Sequence, residues 1–339
     1  MMGSALCVPL ADRSHDVRLI GTPLDEDIVH SVAQSRLHPT LGIELPESVR
    51  CAPSSELAAL AEDADALVLG VSSAGVSWAA SALAPVLARR SRPVLMVSKG
   101  LQHERGELRV LTEAFCLALP EELRAGCEPV SICGPCIAGE LARRAPTMVV
   151  FTGRELTLAR RFAEWLETPY YRIVLHPDVI GVQVCAALKN AYAMGIAFGA
   201  GLHQRARGER GSVAMHNYEA AVFAQSLVEM QELVVALGGA SSTPIGLPGS
   251  GDLTVTCNGG RTGRFGTLLG LGHATREAIR LMQGATLECL EVLAELERFM
   301  HGKSAHRPDR RRLPLLRHLM DVGLHGAPVD VPFQDFFAA

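Results

Sequence analysis

The sequence predicts an α/β protein in two parts, a doubly wound sheet domain over residues 1–177 and an all-helical domain over residues 178–339. Three observations carry this. Apolar, β-rich runs alternate with helical patterns up to about residue 176. The connections between them are short and end in glycine, as α/β units prefer. From Asp178 onward the apolar spacing becomes helical throughout, with no convincing strand.

Taken in order, GSALCVPLAD reads as a short helix that runs into a strand, DVRLIG. DEDIVHSVAQSR is helical. ALVLGVS precedes the helical VSWAASALAPVLARR, and PVLMVSKG precedes a helix ending near Leu119. PVSICG is followed by IAGELARR, TMVVFTG by ELTLARRFAEWL, and YYRIVLH closes the series. Continuous apolar strands with helices between them imply a parallel sheet covered on both faces, the Rossmann-type arrangement. A glycine-started helix feeding a strand is the second half of such a βαβ unit. Its first strand and glycine turn are therefore expected upstream of Met1. Beyond Asp178, DVIGVQVCAALKNAYAMGIAFGAGL, VAMHNYEAAVFAQSLVEMQELVVALG and GATLECLEVLAELERFM have helical spacing.

With 339 residues and 48% hydrophobic content, the chain can bury two cores. A net charge of −4 implies no basic face, so nucleic acid is not an expected partner. No apolar run reads as long and uncharged enough to span a bilayer. Asp12, Arg13 and Asp16 break the first apolar stretch, so no secretory leader is expected. Nine cysteines in a chain this long read as free thiols of a cytoplasmic protein. The twelve histidines form no HxxxH or HxH pair, so no metal site is expected.

Four stretches can carry chemistry. CGPC, between a strand and a helix, has the context of a dithiol motif, Cys133 and Cys136. It lies deep in a long domain with no preceding Trp, so a tight Gly-Pro turn is the stronger reading. Lys99 in KGL follows a strand, and ligands of open α/β sheets sit beyond the carboxyl ends of strands. Lys189 and Asn190 in CAALKNAYAMG sit among small apolar residues, where a lysine loses solvation unless it faces a polar group. GLPGSGDLTVTCNGGRTGRFGTLLGLG crowds glycines around Asp252, Thr256, Arg261 and Thr262 before a helix, the makings of an anion site. A flexible surface loop is the bland alternative.

Together these residues resemble the NAD(P)-dependent glycerol-3-phosphate dehydrogenases over nearly the whole chain. The resemblance rests on VSKGL, CGPCIAGE, CAALKNAYAMGIAFGAGL, HNYEAAVFAQSLVEM and GSGDLTVTCNGGRTGRFGTLLGLG. It implies hydride transfer between NAD or NADP and C2 of dihydroxyacetone phosphate or sn-glycerol 3-phosphate, serving glycerophospholipid synthesis. It makes Lys189 the general acid/base, Lys99 a second lysine near the substrate and Asp252 the carboxylate that orients Lys189. Asn190, Thr256, Arg261 and Thr262 become substrate contacts, with Gly134 and Cys136 at the turn beside them. Gly3, Ser4, Lys99, Ala138, Arg261 and Gln283 fall toward the cofactor. A phosphorylated small molecule as substrate and a homodimeric, cytoplasmic enzyme are also implied.

Departures from the family pattern bear on the substrate. Cys136 stands in place of Ser or Thr, Thr262 where Asn is common, and Glu219 and Gln225 where Lys and Arg are common. Gln183 replaces a common Glu. A dehydrogenase of the same fold for another small hydroxy acid or phosphorylated alcohol is one alternative, and a truncated, non-catalytic remnant is another. In the fingerprint G-x-G-x-x-G, Gly3 takes the third position. The first two glycines and first strand would lie upstream, which points to a start codon assigned late. After DVRLIG neither an acidic residue nor an arginine stands at the ribose position. Gly21, Thr22 and Pro23 do, with Asp25 and Glu26 slightly beyond, and the reading leans to NAD over NADP.

Overall fold

The computed structural model describes residues 1–207 and 215–337. Its strands are β1 (Val17–Ile20), β2 (Leu37–His38), β3 (Ile43–Glu44), β4 (Val49–Ala52), β5 (Leu67–Leu69), β6 (Val94–Met96), β7 (Leu101–Glu104), β8 (Glu107–Val110), β9 (Val130–Cys133), β10 (Thr147–Thr152) and β11 (Tyr171–Leu175). Its helices are α1 (Met2–Asp12), α2 (Glu26–Ser35), α3 (Leu57–Leu60), α4 (Val76–Arg89), α5 (Leu111–Ala118), α6 (Glu121–Arg124), α7 (Ala138–Ala142) and α8 (Leu156–Leu166). Then follow α9 (Val179–Arg207), α10 (His216–Ala236), α11 (Asp252–Cys257), α12 (Gly260–Gly270), α13 (Thr275–Leu281), α14 (Glu288–His301) and α15 (Pro314–His325). Val213 and Ala214, expected at the start of a helix, lie outside the described residues.

The chain forms two compact units, Met1–Lys99 with Leu111–Val179, and Gly100–Val110 with Ile180–Ala339. The segment 100–110, expected within the first domain, belongs with the second. It forms an antiparallel hairpin, β7 and β8, turned through Arg105 and Gly106, both at positive φ. Leu101, Leu108 and Val110 join the core of the second unit, and Glu295 of α14 accepts a 2.7 Å hydrogen bond from the His103 amide.

In the first unit, five strands run in the order β11-β10-β9-β6-β5. β5, β6 and β9 are mutually parallel, but β9 and β10 are antiparallel, which corrects the expectation of a wholly parallel sheet. The connection between them, residues 134–146, carries only the five-residue helix α7. β1 and β4 pair in a separate parallel sheet.

Alternation along β6 explains the layering. Leu95 packs toward α1, α7 and α8, while Val94 and Met96 pack toward α4 and α5. α1 is buried on nearly every side. Its consecutive residues Leu6, Cys7 and Val8 enter three different apolar clusters, the last two with β1, β4 and α2. Pro9 inside this helix removes a backbone donor, so packing holds α1 rather than its own ladder. At its end, Asp12 accepts two 2.8 Å bonds from Arg144 and one of 2.6 Å from the Tyr170 hydroxyl.

α1 crosses the end of β5 at a pair of glycines. A Cβ on Gly70 would lie 2.9 Å from the Gly3 Cα, and one on Gly3 would lie 3.2 Å from the Gly70 Cα. Both obstacles are backbone, so neither yields cheaply. Gly70→Ala is expected to lower unfolding free energy by about 1–3 kcal/mol, read as a lower urea midpoint at unchanged m-value. An unchanged midpoint would show that the crossing has slack.

The second unit is built around α9. By length and composition α9 could cross a bilayer, contrary to the expectation that no such run exists, but 89% of its apolar window is buried within the protein. It is the core helix of this unit. It crosses α12 backbone to backbone. Added Cβ atoms at Gly266 and Gly270 would lie 2.3 Å from the carbonyl oxygens of Met194 and Phe198, and at Gly201 2.2 Å from that of Thr267.

Glu229 of α10 is fully buried and caps α15. Its carboxylate accepts bonds from the amides of Leu315 and Leu316 (2.7 and 2.8 Å), the Gln225 amide (2.9 Å) and the Tyr192 hydroxyl (3.2 Å). Burial pushes its acid up to about 7 from an ordinary 4.5, against these donors, which pull the other way. A raised folded-state value means that the folded protein holds the proton more tightly than the unfolded chain. The stabilisation is full below pH 4.5 and is lost as pH rises through 7. Glu229→Gln should lower stability by about 1–3 kcal/mol, because an NH2 then faces backbone donors. It should also flatten the pH dependence of the denaturant midpoint across that window. A slope unchanged by the substitution would assign the titration to another group.

Candidate active site

Lys189 and Asn190 are successive residues of α9. The helix buries Cys185, Ala186, Ala187, Leu188 and Ala191 around them, leaving the Lys189 side chain 11% exposed. Such a lysine needs a counter-charge within reach. Asp252 supplies it. A π-helical turn, Leu247–Gly251, delivers Asp252 to the start of α11, where its side chain is completely buried. The Lys189 ammonium donates to the Asp252 carboxylate in a hydrogen-bonded ion pair.

Asn190 turns the other way. Its amide donates a 2.8 Å bond to the Glu288 carboxylate, at the first position of α14. The second Glu288 oxygen lies 3.8 Å from the Arg261 guanidinium, which is half exposed in the first turn of α12. Four helices thus contribute to one line of polar side chains, Asp252–Lys189–Asn190–Glu288–Arg261. Glu288 was missed from sequence. An acidic residue in a helix's first turn is commonplace, and nothing marked this one. Thr256 donates to the Asp252 carbonyl at 2.7 Å, a bond back along its own helix. Thr262 is buried in α12, and Gln283 is exposed in the turn after α13 at φ 51°.

In the first unit, Lys99 follows β6 and Gly134 follows β9, side by side at the carboxyl ends of parallel strands. The Lys99 ammonium donates to the Gly134 carbonyl at 3.1 Å. Both line a cavity with Met2 and Leu6 of α1, Val97, Cys136 and Tyr171. Tyr171 is fully buried, and its hydroxyl has no hydrogen-bond partner among the described residues. Tyr171 too was missed, because YYRIVL reads only as a strand. Ala138 opens α7 nearby in sequence. Ser4 is buried, and its hydroxyl meets His38 Nε2 at 3.1 Å, so its side chain serves the fold. CGPC is not a bonded pair. Cys133 is buried with its sulfur 3.5 Å from Ser131 Oγ, and Cys136 Sγ lies 3.9 Å from the Met2 sulfur. Among the described residues no cluster of His, Cys, Asp or Glu could hold a metal ion.

The NAD-dependent glycerol-3-phosphate dehydrogenase N-terminal model matches residues 1–159, and the C-terminal model of the same family matches residues 178–333. The NADP(+)-dependent glycerol-3-phosphate dehydrogenase of Archaeoglobus fulgidus is 34% identical over 323 residues, 95% of this chain and 93% of its own length. The chain belongs to the NAD-dependent glycerol-3-phosphate dehydrogenase family. The glycerol-3-phosphate dehydrogenase [NAD(P)+] of Agrobacterium fabrum is 33% identical, covering 84% of this chain and 81% of that protein. The crystal structure of glycerol-3-phosphate dehydrogenase from Coxiella burnetii superposes with a TM-score of 0.80 at 25% identity, over 98% of this chain and 94% of that one. A Plasmodium falciparum glycerol-3-phosphate dehydrogenase superposes at 0.83 over 99% of this chain and 92% of that one. At 15% identity, that match speaks to the fold alone.

Within this family member, removing Lys189 is not a neutral probe. Lys189→Met strips a fully buried carboxylate of its ammonium and should destabilise the protein by about 3–5 kcal/mol. Lys189→Met with Asp252→Asn should recover part of that loss. Equal stability of wild type and the single variant in urea titration would mean that the ion pair contributes nothing to the fold.

Proposed function

We propose that this protein interconverts dihydroxyacetone phosphate and sn-glycerol 3-phosphate with NAD(P)H, and thereby supplies glycerol 3-phosphate for glycerophospholipid synthesis. The observation that carries the reading is the Lys189–Asp252 pair on two helices of a family member, with Asn190, the next residue of α9, joined to Arg261 through Glu288. In the reductive direction the Lys189 ammonium gives its proton to the C2 oxygen as that oxygen gains charge. Asp252 is a positioning residue. It fixes the direction of the ammonium and remains a carboxylate beside it. Arg261, half exposed at the start of α12, offers its guanidinium to the substrate phosphate. Asn190, Thr256, Thr262, Lys99, Gly134 and Cys136 are the remaining residues assigned to the substrate.

Support for the cofactor end comes from the cavity beside Lys99. It sits beyond the carboxyl ends of β6 and β9, has apolar walls, and holds a buried hydroxyl, that of Tyr171, awaiting a partner. Its free volume of about 20 Å³ admits a water rather than a ring, so it marks only the polar edge of the proposed cofactor end. When bound, the nicotinamide supplies or accepts the hydride at C2. Gly3, the backbone of Ser4, Ala138, Arg261 and Gln283 are the remaining residues assigned to holding the cofactor. The lean to NAD rests on Asp25, and that carboxylate already accepts bonds from the Thr22 hydroxyl (2.7 Å) and amide (3.3 Å). The working protein is a cytoplasmic homodimer.

The purified protein should oxidise NADH and NADPH in the presence of dihydroxyacetone phosphate, with kcat/KM for the two cofactors within about tenfold, or 1.4 kcal/mol. Arg261→Gln should raise KM for dihydroxyacetone phosphate by about 10- to 100-fold, the worth of a charge-assisted hydrogen bond, with a smaller change in kcat. No turnover with either cofactor would overturn the reading.

A further inference from the structure

Cys116 lies in the last turn of α5, and Cys127 lies just before β9, with residues 117–126 and helix α6 between them. Cys116 Sγ donates to the Cys127 carbonyl at 3.1 Å, which sets the two cysteines side by side. Both are only partly buried, whereas Cys7, Cys133, Cys185 and Cys289 are sealed in the interior. Two cysteines held side by side near the surface, with ten residues between them, are placed for oxidation.

We propose that Cys116 and Cys127 are a reversible disulfide site, closed by exchange with a low-molecular-weight disulfide such as oxidised glutathione. Nothing in the dehydrogenase reaction uses either residue. The order of attack follows from the surroundings. The neighbouring Cys127 thiol favours the Cys116 thiolate and burial opposes it; the Arg154 guanidinium adds a smaller favourable effect, and Glu113 and Glu128 smaller opposing ones. Arg154 is itself paired with Glu113 at 3.2 Å. Contact with Cys116, and burial, push the Cys127 thiol up, so Cys116 is the one that ionises. Its thiolate attacks one glutathione sulfur, the glutathione S–S bond breaks, and one glutathione thiolate leaves. Cys127, once its partner carries no charge, loses its proton and attacks the Cys116 sulfur of the mixed disulfide. The second glutathione then leaves as thiolate. Two protein thiols have become one disulfide, one oxidised glutathione has become two thiols, and the two protons lost by the protein are taken up by the glutathione thiolates.

The test is a titration of the whole protein against mixtures of reduced and oxidised glutathione, quenched by alkylation and mapped as unreduced peptides. The Cys116 and Cys127 peptides should emerge joined, two hydrogens lighter than their sum, and separate again on reduction. Cys127→Ser should stop at a stable glutathione adduct on Cys116, whereas Cys116→Ser should leave Cys127 alkylated and without adduct. The proposal is overturned if the wild type keeps both cysteines alkylated on separate peptides where other cysteines of the chain are oxidised. It is equally overturned if the wild-type Cys116 adduct persists unresolved.

Discussion

A carboxylate with no exposed surface is the constraint around which the second unit is arranged. Asp252 cannot be hydrated, so its charge must be met by protein, and the ammonium of Lys189 on α9 does so. That requirement fixes the distance between α9 and α11. The glycine crossing at Gly201, Gly266 and Gly270 fixes α12 against the same helix, and Glu288 ties Asn190 of α9 and Arg261 of α12 to the start of α14. Polar side chains from four helices are therefore located by two charged pairs and one backbone contact. A buried ion pair is a poor source of stability compared with apolar packing, but it tolerates little displacement. That intolerance makes it useful for holding a proton donor in one direction.

The first unit meets a different demand. Its three sheets share no ladder, yet the fold holds because α1 packs on both the five-stranded sheet and the β1–β4 pair. Cohesion that neighbouring strands would supply through hydrogen bonds comes here from side chains of a single helix. The site elements of this unit, Lys99 and the turn at Gly134, hang from the larger sheet, where strand ends place them with little freedom.

Much of this was legible in the sequence, for reasons that differ by residue. Lys189 and Asn190 stood out because polar groups in an apolar helical run demand partners, and Asp252 stood out among glycines. Glu288 did not, because its chemistry depends on what α9 and α12 bring to it. Gly266 and Gly270 read as the start of a helix after the glycine-rich stretch, but nothing in the sequence showed that they are contact points with α9. Periodicity also missed the β7–β8 hairpin, since LQHE and ELRV carry too few apolar residues to signal a strand. The antiparallel pairing of β9 with β10 was not legible either, because strand and helix patterns in sequence do not give strand direction. Of the cysteines, the local motif CGPC attracted attention, while the pair actually in contact is separated by a helix and has no motif at all.

The burial of α1 has a consequence in time. Its apolar side chains Leu6 and Ala5 are completed by Phe162, Ala163 and Leu166 of α8. On a ribosome adding about 5–20 residues per second, those partners emerge roughly 8–30 s later. Until then the nascent chain carries a sticky, proline-interrupted segment that cannot hold itself helical. One side of the opening helix thus meets β1, β4 and α2 early, and its other side waits for α8.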